Sequence, residues 1–226
     1  MHELHPTAEL VVVPAVPFRP YYQDEAVTIY HADCRQVLPF LPKFDLVVAD
    51  PPYGMEFQSN YRTVKHAKIE GDDKLPLDLI WLAISKADRA SYVFCRWDNL
   101  SMMPKCKSVI AWVKNNWSMG DLKHEHGRQW EACCFYPESM HEFITRTPDV
   151  IFADRTGNVL HPTEKPEKLI RALIGANVGE TILDPFMGSG TTLVAAKLEG
   201  RSAVGIEINE AYCESAAKRL QQGVLF

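Results

Sequence analysis

No stretch of the 226 residues is long and apolar enough to span a bilayer, which takes about 20 consecutive apolar residues. The apolar run near the start is cut by Pro14 and Pro17 and has no basic leader, so residues 1–18 read as a terminal extension and not as a signal peptide. The six cysteines, Cys34, Cys95, Cys106, Cys133, Cys134 and Cys213, form no CxxC pair and show no zinc-ligand spacing. A reduced, cytoplasmic protein without a metal is expected. Positive charge is also scarce: 24 Lys and Arg stand against 29 Asp and Glu, for a formal net charge of −5. That excludes a generic nucleic-acid coat, because neutralising phosphates needs clustered cations. A local basic face is not excluded, since Lys105, Lys107, Lys114, Lys123 and Arg128 are interleaved with Trp112, Asn115, Asn116 and Trp117. His124 and His126 lack a third ligand at metal spacing.

What is present is apolar sequence for one core. Hydrophobic residues make up 46% of the chain, enough for a single substantial core and little beyond it, so residues 1–226 are expected to form one domain. Short β-branched runs ending in polar or turn residues alternate with helical stretches, the pattern of an α/β fold with a parallel sheet covered on both faces. Strands are expected at 27–31, 44–49, 91–95, 108–113 and 130–136. Residues 75–87 and 166–176 carry apolar residues at helical spacing, the second opened by a proline. The last third reads most clearly, as a strand at 180–183, a glycine-bearing turn at 184–190, a helix at 191–199, a strand at 203–207 and a final helix at 210–221. Asn209 is placed to cap that last helix, and Lys218 and Arg219 suit its C-terminal end. Between 117 and 160 the periodicity fades while charge, histidine and glycine accumulate, so residues 115–160 read as inserted loops. Trp97, Trp112, Trp117 and Trp130 read as packing residues, although Trp117, beside Asn115 and Asn116, could instead face DNA.

Two motifs carry chemistry. Asp50-Pro51-Pro52-Tyr53-Gly54 follows directly on the apolar strand 44–49 and so stands at a strand's carboxyl end, where open α/β sheets place their sites. Two successive prolines fix φ and remove two amide donors, leaving carbonyl oxygens free to face a ligand. Such a turn suits methylation of an exocyclic base amine, whose lone pair is delocalised into the ring. If the Asp50 carboxylate and the Pro51 carbonyl accept its N–H bonds, the nitrogen can rehybridise and aim its lone pair at an electrophilic methyl group. Tyr53 would stack on the base, which must leave the duplex to be reached. A proline-rich loop with a capping aspartate is the bland alternative.

The second motif is Asp184-Pro185-Phe186-Met187-Gly188-Ser189-Gly190-Thr191-Thr192, again between a strand and a helix. Gly188 and Gly190 let backbone approach a ligand closely, and the helix start offers free amides, which implies a nucleotide-type cofactor. A phosphate-binding P-loop is disfavoured because Thr191 stands where that motif needs Lys. The dinucleotide fingerprint fails for want of its third glycine. Glu207 ends the next strand, where an acidic residue can bind ribose hydroxyls.

In this order the motifs resemble those of the amino-methylating (adenine-N6 / cytosine-N4) DNA methyltransferases, in the permuted class whose DPPY precedes the glycine loop. The likeness covers most of the chain in six islands: Tyr30-His31-Ala32-Asp33-Cys34, residues 50–54, Trp112-Val113-Lys114-Asn115, His161-Pro162-Thr163-Glu164-Lys165-Pro166, residues 184–192, and Gly205-Ile206-Glu207. The resemblance implies a Rossmann-like methyltransferase fold, circularly permuted, with a mostly parallel sheet and helices on both faces. It implies S-adenosyl-L-methionine as cofactor. On the matching positions, Asp184, Phe186, Gly188, Ser189, Gly190, Thr191 and Thr192 would hold its methionine end, Glu207 its ribose and Asp33 its adenine amine, with Thr163 and Lys165 closing the pocket. Catalysis would rest on Asp50, Pro51, Pro52 and Tyr53. Two positions depart from the pattern: Glu164 replaces the usual glutamine, and Ala32 replaces the glycine common before Asp33. The second leaves a turn-capping role for Asp33 equally open.

The implied activity is site-specific transfer of a methyl group to the N6 amine of adenine in double-stranded DNA, with the target base flipped. Cytosine-N4 methylation is the rival within the class, although such enzymes more often carry Ser where Asp50 stands. A catalytically idle nucleic-acid-binding module is the rival from another class, and the intact Asp50, Tyr53 and glycine turn speak against it. Specificity has to come from loops. The candidates are 58–68, with Ser59, Asn60, Tyr61, Arg62, Lys65 and His66, and the region 115–160, its basic part at 115–128. So small a variable region fits a short recognition site or a homodimer that shares recognition.

Overall fold

The computed structural model describes residues 16–54, 74–117, 123–156 and 163–222. In chain order its elements are β1 (Tyr22–Gln23), β2 (Val27–His31), α1 (Cys34–Val37), β3 (Phe44–Ala49), α2 (Leu77–Ile84), β4 (Ala87–Cys95), β5 (Ser108–Val113), β6 (Trp130–Pro137), β7 (Val150–Phe152), α3 (Glu167–Gly175), β8 (Thr181–Asp184), α4 (Thr191–Leu198), β9 (Ser202–Glu207) and α5 (Glu210–Gln221). Among the described residues, the strands join in one sheet of order β1-β2-β9-β8-β3-β4-β6-β5-β7. The run from β2 to β4 is parallel throughout, as is β5 with β7. β1 and β6 pair antiparallel with their neighbours. The mostly parallel sheet expected from the sequence is present.

The central strand explains the layering. Along β3, Leu46 and Val48 point to one face and Val47 and Ala49 to the other, and all four are buried, so both faces need a cover. On one side α3, α4 and α5 supply it through Leu169, Ile170, Leu173, Ile174, Leu193, Cys213 and Leu220. On the other, α1 and α2 supply it through Val37, Leu79, Ile80 and Ala83. Asn209 caps α5 as expected, its side-chain oxygen accepting the Ala211 N–H at 3.0 Å.

Three differences from the sequence expectations have physical causes. The helix expected at 75–87 ends at Ile84, because Ala87 pairs with Phe44 and the segment 87–90 is drawn into β4; strand pairing overrides the weak strand preference of Ala-Asp-Arg-Ala. Within the described part of 115–160, β7 (Val150–Phe152) pairs with β5 as the sheet's edge where loops were expected, while the strand expected at 130–136 forms as β6, with Ala132, Cys133, Cys134 and Phe135 buried between β4 and β5. Of the four tryptophans read as packing residues only Trp112 is buried, its indole N–H donating to the Ala153 carbonyl at 2.8 Å. Trp97, Trp117 and Trp130 are 52%, 67% and 41% exposed.

What positions the site is the pairing of β3 with β8. They run parallel with Leu46 opposite Ile182 and Val47 opposite Leu183, so the turns at their carboxyl ends, which begin at Asp50 and Asp184, come out side by side.

Candidate active site

At the end of β3 the backbone passes through buried Pro51, and Tyr53 folds back so that its hydroxyl donates to Asp50 Oδ1 at 2.6 Å. Asn99, in the turn after β4, holds this arrangement from behind by donating to the Tyr53 carbonyl at 3.0 Å. The other oxygen, Oδ2, accepts from Lys165 Nζ at 2.5 Å. Lys165 is aimed there by Pro166, whose extended conformation opens α3 and turns the preceding residue over the sheet's edge. Lys165 Nζ also lies 3.3 Å from the Tyr53 hydroxyl and 3.5 Å from Glu131 of β6. Glu131 in turn accepts from Lys114, which follows β5. Four charges of alternating sign thus run Lys114, Glu131, Lys165, Asp50.

The electrostatics follow from burial and that alternation. Burial works to strip Lys165 of its proton, but Asp50 and Glu131 together outweigh it and hold the ammonium above its ordinary pKa. Burial raises Asp50, against the pull of the Lys165 charge and of the Lys165 and Tyr53 hydrogen bonds, with Glu131 adding repulsion. For Glu131 burial is outweighed by Lys165 and Lys114, and its pKa falls. Burial and then the Asp50 charge keep the Tyr53 phenol protonated.

The glycine turn is built differently. Asp184 Oδ1 accepts the Phe186 N–H at 3.0 Å, and the Gly188 N–H donates to the Glu207 carboxylate at 3.0 Å. The second Glu207 oxygen accepts the Asn209 N–H at 2.8 Å. Gly188 and Gly190 have φ of 51° and 80°, a left-handed backbone that side chains other than glycine's disfavour. Arg219 of α5 reaches under the turn, donating to the Ser189 carbonyl at 2.8 Å and lying 3.3 Å from Thr191 Oγ1 and 3.5 Å from Glu164. Among the described residues, no cation is paired with Asp184. Burial therefore pushes its carboxyl up to about 7, against the Thr192 and Phe186 hydrogen bonds and with Asp50 and Glu207 adding repulsion.

The two turns line one cavity that is open to solvent. Val48, Phe94, Ile170, Phe186 and Met187 form apolar walls, and Asp50, Thr163, Glu164, Lys165, Asp184, Ser189, Thr191 and Thr192 bring polar groups to it. Gly188 lines it too. An apolar space with three carboxylates, of which the buried Asp184 has no cation paired with it among the described residues, suits a ligand that is part aromatic and part cationic.

Most of the site residues expected from sequence are thereby brought together. Gly190 sits within the turn as the cap of α4, and Glu207 clamps the turn from β9. Asp33 stands apart: its carboxylate caps α1 by accepting the Arg35 N–H at 2.9 Å and pairs with the Arg35 side chain. Lys165, expected at the cofactor, lines the cavity and donates to Asp50. Lys114, expected on a DNA-facing surface, is 9% exposed and bound to Glu131, and Arg128 is paired with Glu125. His161, Pro162 and the loop candidates at 58–68 lie outside the described residues. Asn99, Glu131 and Arg219 carry no sequence signal of a site role, because each acts on the site across the sheet and has no local motif. Among the described residues, no helix is long and apolar enough to cross a membrane.

Residues 146–218 match the family model described as DNA methylase (N6_N4_Mtase). The Type II methyltransferase M2.LlaDCHI of Lactococcus lactis subsp. cremoris is 27% identical over an alignment covering 92% of this chain and 94% of that protein. The DNA adenine methyltransferase YhdJ of Escherichia coli (strain K12) is 26% identical, over 88% of this chain and 84% of its own length. Among solved structures, the M1.HpyAVI–SAM complex superposes with a TM-score of 0.67 at 24% identity, covering 85% of this chain and 99% of that one. The family match over residues 146–218, relatives aligned over most of both chains and an acidic DPPY turn facing a glycine turn point the same way: the chain is similar to the amino-methyltransferases of the N6/N4 DNA methylase family.

Proposed function

We propose that the protein transfers a methyl group from S-adenosyl-L-methionine to the exocyclic N6 amine of adenine at a specific DNA sequence. The observation that carries this is the shared cavity: Asp50 and Asp184, 134 positions apart in the chain (184 − 50), line the same space. Adenine is favoured over cytosine by Asp50 itself and by the kinship with YhdJ, named a DNA adenine methyltransferase.

The cavity fits the cofactor, because among the described residues the buried Asp184 carboxylate has no positive partner and an apolar wall stands beside it. When bound, S-adenosylmethionine supplies a methyl group on a positively charged sulfur. Asp184, the turn amides and Ser189, Thr191 and Thr192 would hold its methionine end, Phe186 would pack against it, and Glu207 would take its ribose. Thr163 and Lys165 would close the pocket, and Asp33 is the candidate for the adenine amine. On the substrate side, Asp50 and the Pro51 carbonyl accept the amine's N–H bonds and draw its lone pair out of the ring. Tyr53 gives up its bond to Asp50 and stacks on a base flipped from double-stranded DNA. The methylated nitrogen must lose one proton, and Asp50, already hydrogen-bonded to it, is placed to receive it.

Residues 58–68 and the loops within 115–160 are the proposed reader of the DNA sequence, alone or in a homodimer. The chain order is read as a circular permutation, with the acidic turn ahead of the glycine turn and α5 packed beside β2. Six free thiols suit a reduced cytoplasm. Sequencing of modified bases in DNA from cells expressing the protein tests the proposal: N6-methyladenine at one short motif is expected, and N4-methylcytosine or unmodified DNA would contradict it.

A further inference from the structure

We propose that Glu131 is a second seat for the Lys165 ammonium, occupied when the target amine claims Asp50. Both oxygens of Asp50 are already taken, Oδ1 by the Tyr53 hydroxyl at 2.6 Å and Oδ2 by Lys165 at 2.5 Å. An incoming amine therefore needs a donor to withdraw. Tyr53 can leave by stacking on the base, but a full set of acceptor sites for an N–H in line with Asp50 also requires Lys165 to yield. Lys165 is 6% exposed, so it cannot simply turn to water, and an unpaired ammonium in the interior is strongly disfavoured.

Among the described residues, Glu131 is an acceptor within reach. Glu131 Oε2 is sealed from solvent and has no hydrogen-bond partner, while it lies 3.5 Å from Lys165 Nζ. A buried carboxylate oxygen left without a donor is costly, so this vacancy calls for an occupant. The seat is also rigid. Oε1 is held by Lys114, and Lys114 is fixed at its backbone by Gln129, whose carbonyl accepts the Lys114 N–H at 2.8 Å and whose side chain donates to the Lys114 carbonyl at 2.9 Å. Because the four charges alternate and sum to zero, a shift of the ammonium by on the order of 1 Å to ordinary hydrogen-bond distance exchanges one ion pair for another without creating a net charge. Glu131 is thus a positioning residue, acting on the base site through Lys165.

This rests on the methyltransferase reading, and the experiment separates the two. Wild-type protein and Glu131→Gln are compared in single-turnover methyl transfer to a duplex carrying the motif found by modified-base sequencing, with Kd for S-adenosylmethionine and for the duplex measured alongside. Wild-type activity is checked first, and its absence overturns both the reading and this proposal. Given an active wild type, the expected result is a transfer rate lowered at least tenfold with both Kd values within twofold. A rate within twofold of wild type overturns the proposal, as do Kd losses that account for the whole rate loss, which would mark a structural residue. Should Glu131→Gln not fold, a wild-type complex with S-adenosylhomocysteine and the duplex decides: Nζ hydrogen-bonded to Glu131 supports the exchange, and Nζ still seated on Asp50 refutes it.

Discussion

Asp50 and Asp184 are the same side chain in one cavity with different partners, and the difference sets their chemistry. Asp50 has an ammonium at 2.5 Å and a phenol at 2.6 Å, which offset much of what burial costs its charge. Asp184 has only neutral donors, so its pKa rises from 3.8 to about 7. The sign of the consequence is fixed by linkage. A carboxyl whose folded pKa lies above its unfolded one stabilises the fold fully below about pH 4 and loses that contribution as pH rises through about 7. Binding of a cation has the opposite trend, because only the ionised Asp184 attracts it. Cofactor affinity is therefore expected to rise between pH 6 and 8 by calorimetry, and Asp184→Asn is expected to bind more weakly with that rise removed. An unchanged pH dependence in Asp184→Asn would contradict the role given to this carboxylate.

At the scale of elements, the glycine turn pairs a tight backbone fit with its proposed role as the cofactor's seat. Gly190 has φ of 80°, and a Cβ built there would stand 2.7 Å from the Ala216 Cβ of α5. Gly190→Ala should therefore strain the turn and push it off α5, lowering the melting temperature and weakening cofactor binding about tenfold or more. Adding Ala216→Gly should recover part of the stability, since it removes the contact while the φ penalty stays. Unchanged cofactor affinity by calorimetry would count against the turn as the cofactor's seat. Elements with a strong local pattern are legible in the amino-acid sequence: β2, β3, β5 and α5 fall on the residues expected from apolar alternation and capping. Others are not, because pairing defines them. β1 is two residues, β7 is a three-residue edge with exposed Phe152, and the start of β4 owes its conformation to β3. Glu131 belongs with these, since its alternative of an exposed strand carboxylate looks identical in sequence.

The whole molecule assembles its site from pieces that are remote in the chain. β3 delivers the acidic turn, β8 the glycine turn, the segment before α3 the lysine, and β5 with β6 the charges behind it. The two motif turns can be read from sequence because each joins a strand to distinctive residues. Their meeting cannot, because it depends on β8 lying beside β3 and not at the sheet's edge. The charge chain beneath them is equally hidden, as it arises only once β6 is inserted antiparallel between β4 and β5. Central to the proposed chemistry is a division of labour across this one cavity, in which Asp50 would act on the substrate amine and the glycine turn would hold the methyl donor. Transfer of labelled methyl groups from S-adenosylmethionine to DNA by Asp50→Ala, measured beside its Kd for the donor, tests that division most directly. The expected result is a loss of at least about a hundredfold in transfer with donor affinity within a few fold of wild type. Near-normal transfer by Asp50→Ala would contradict it.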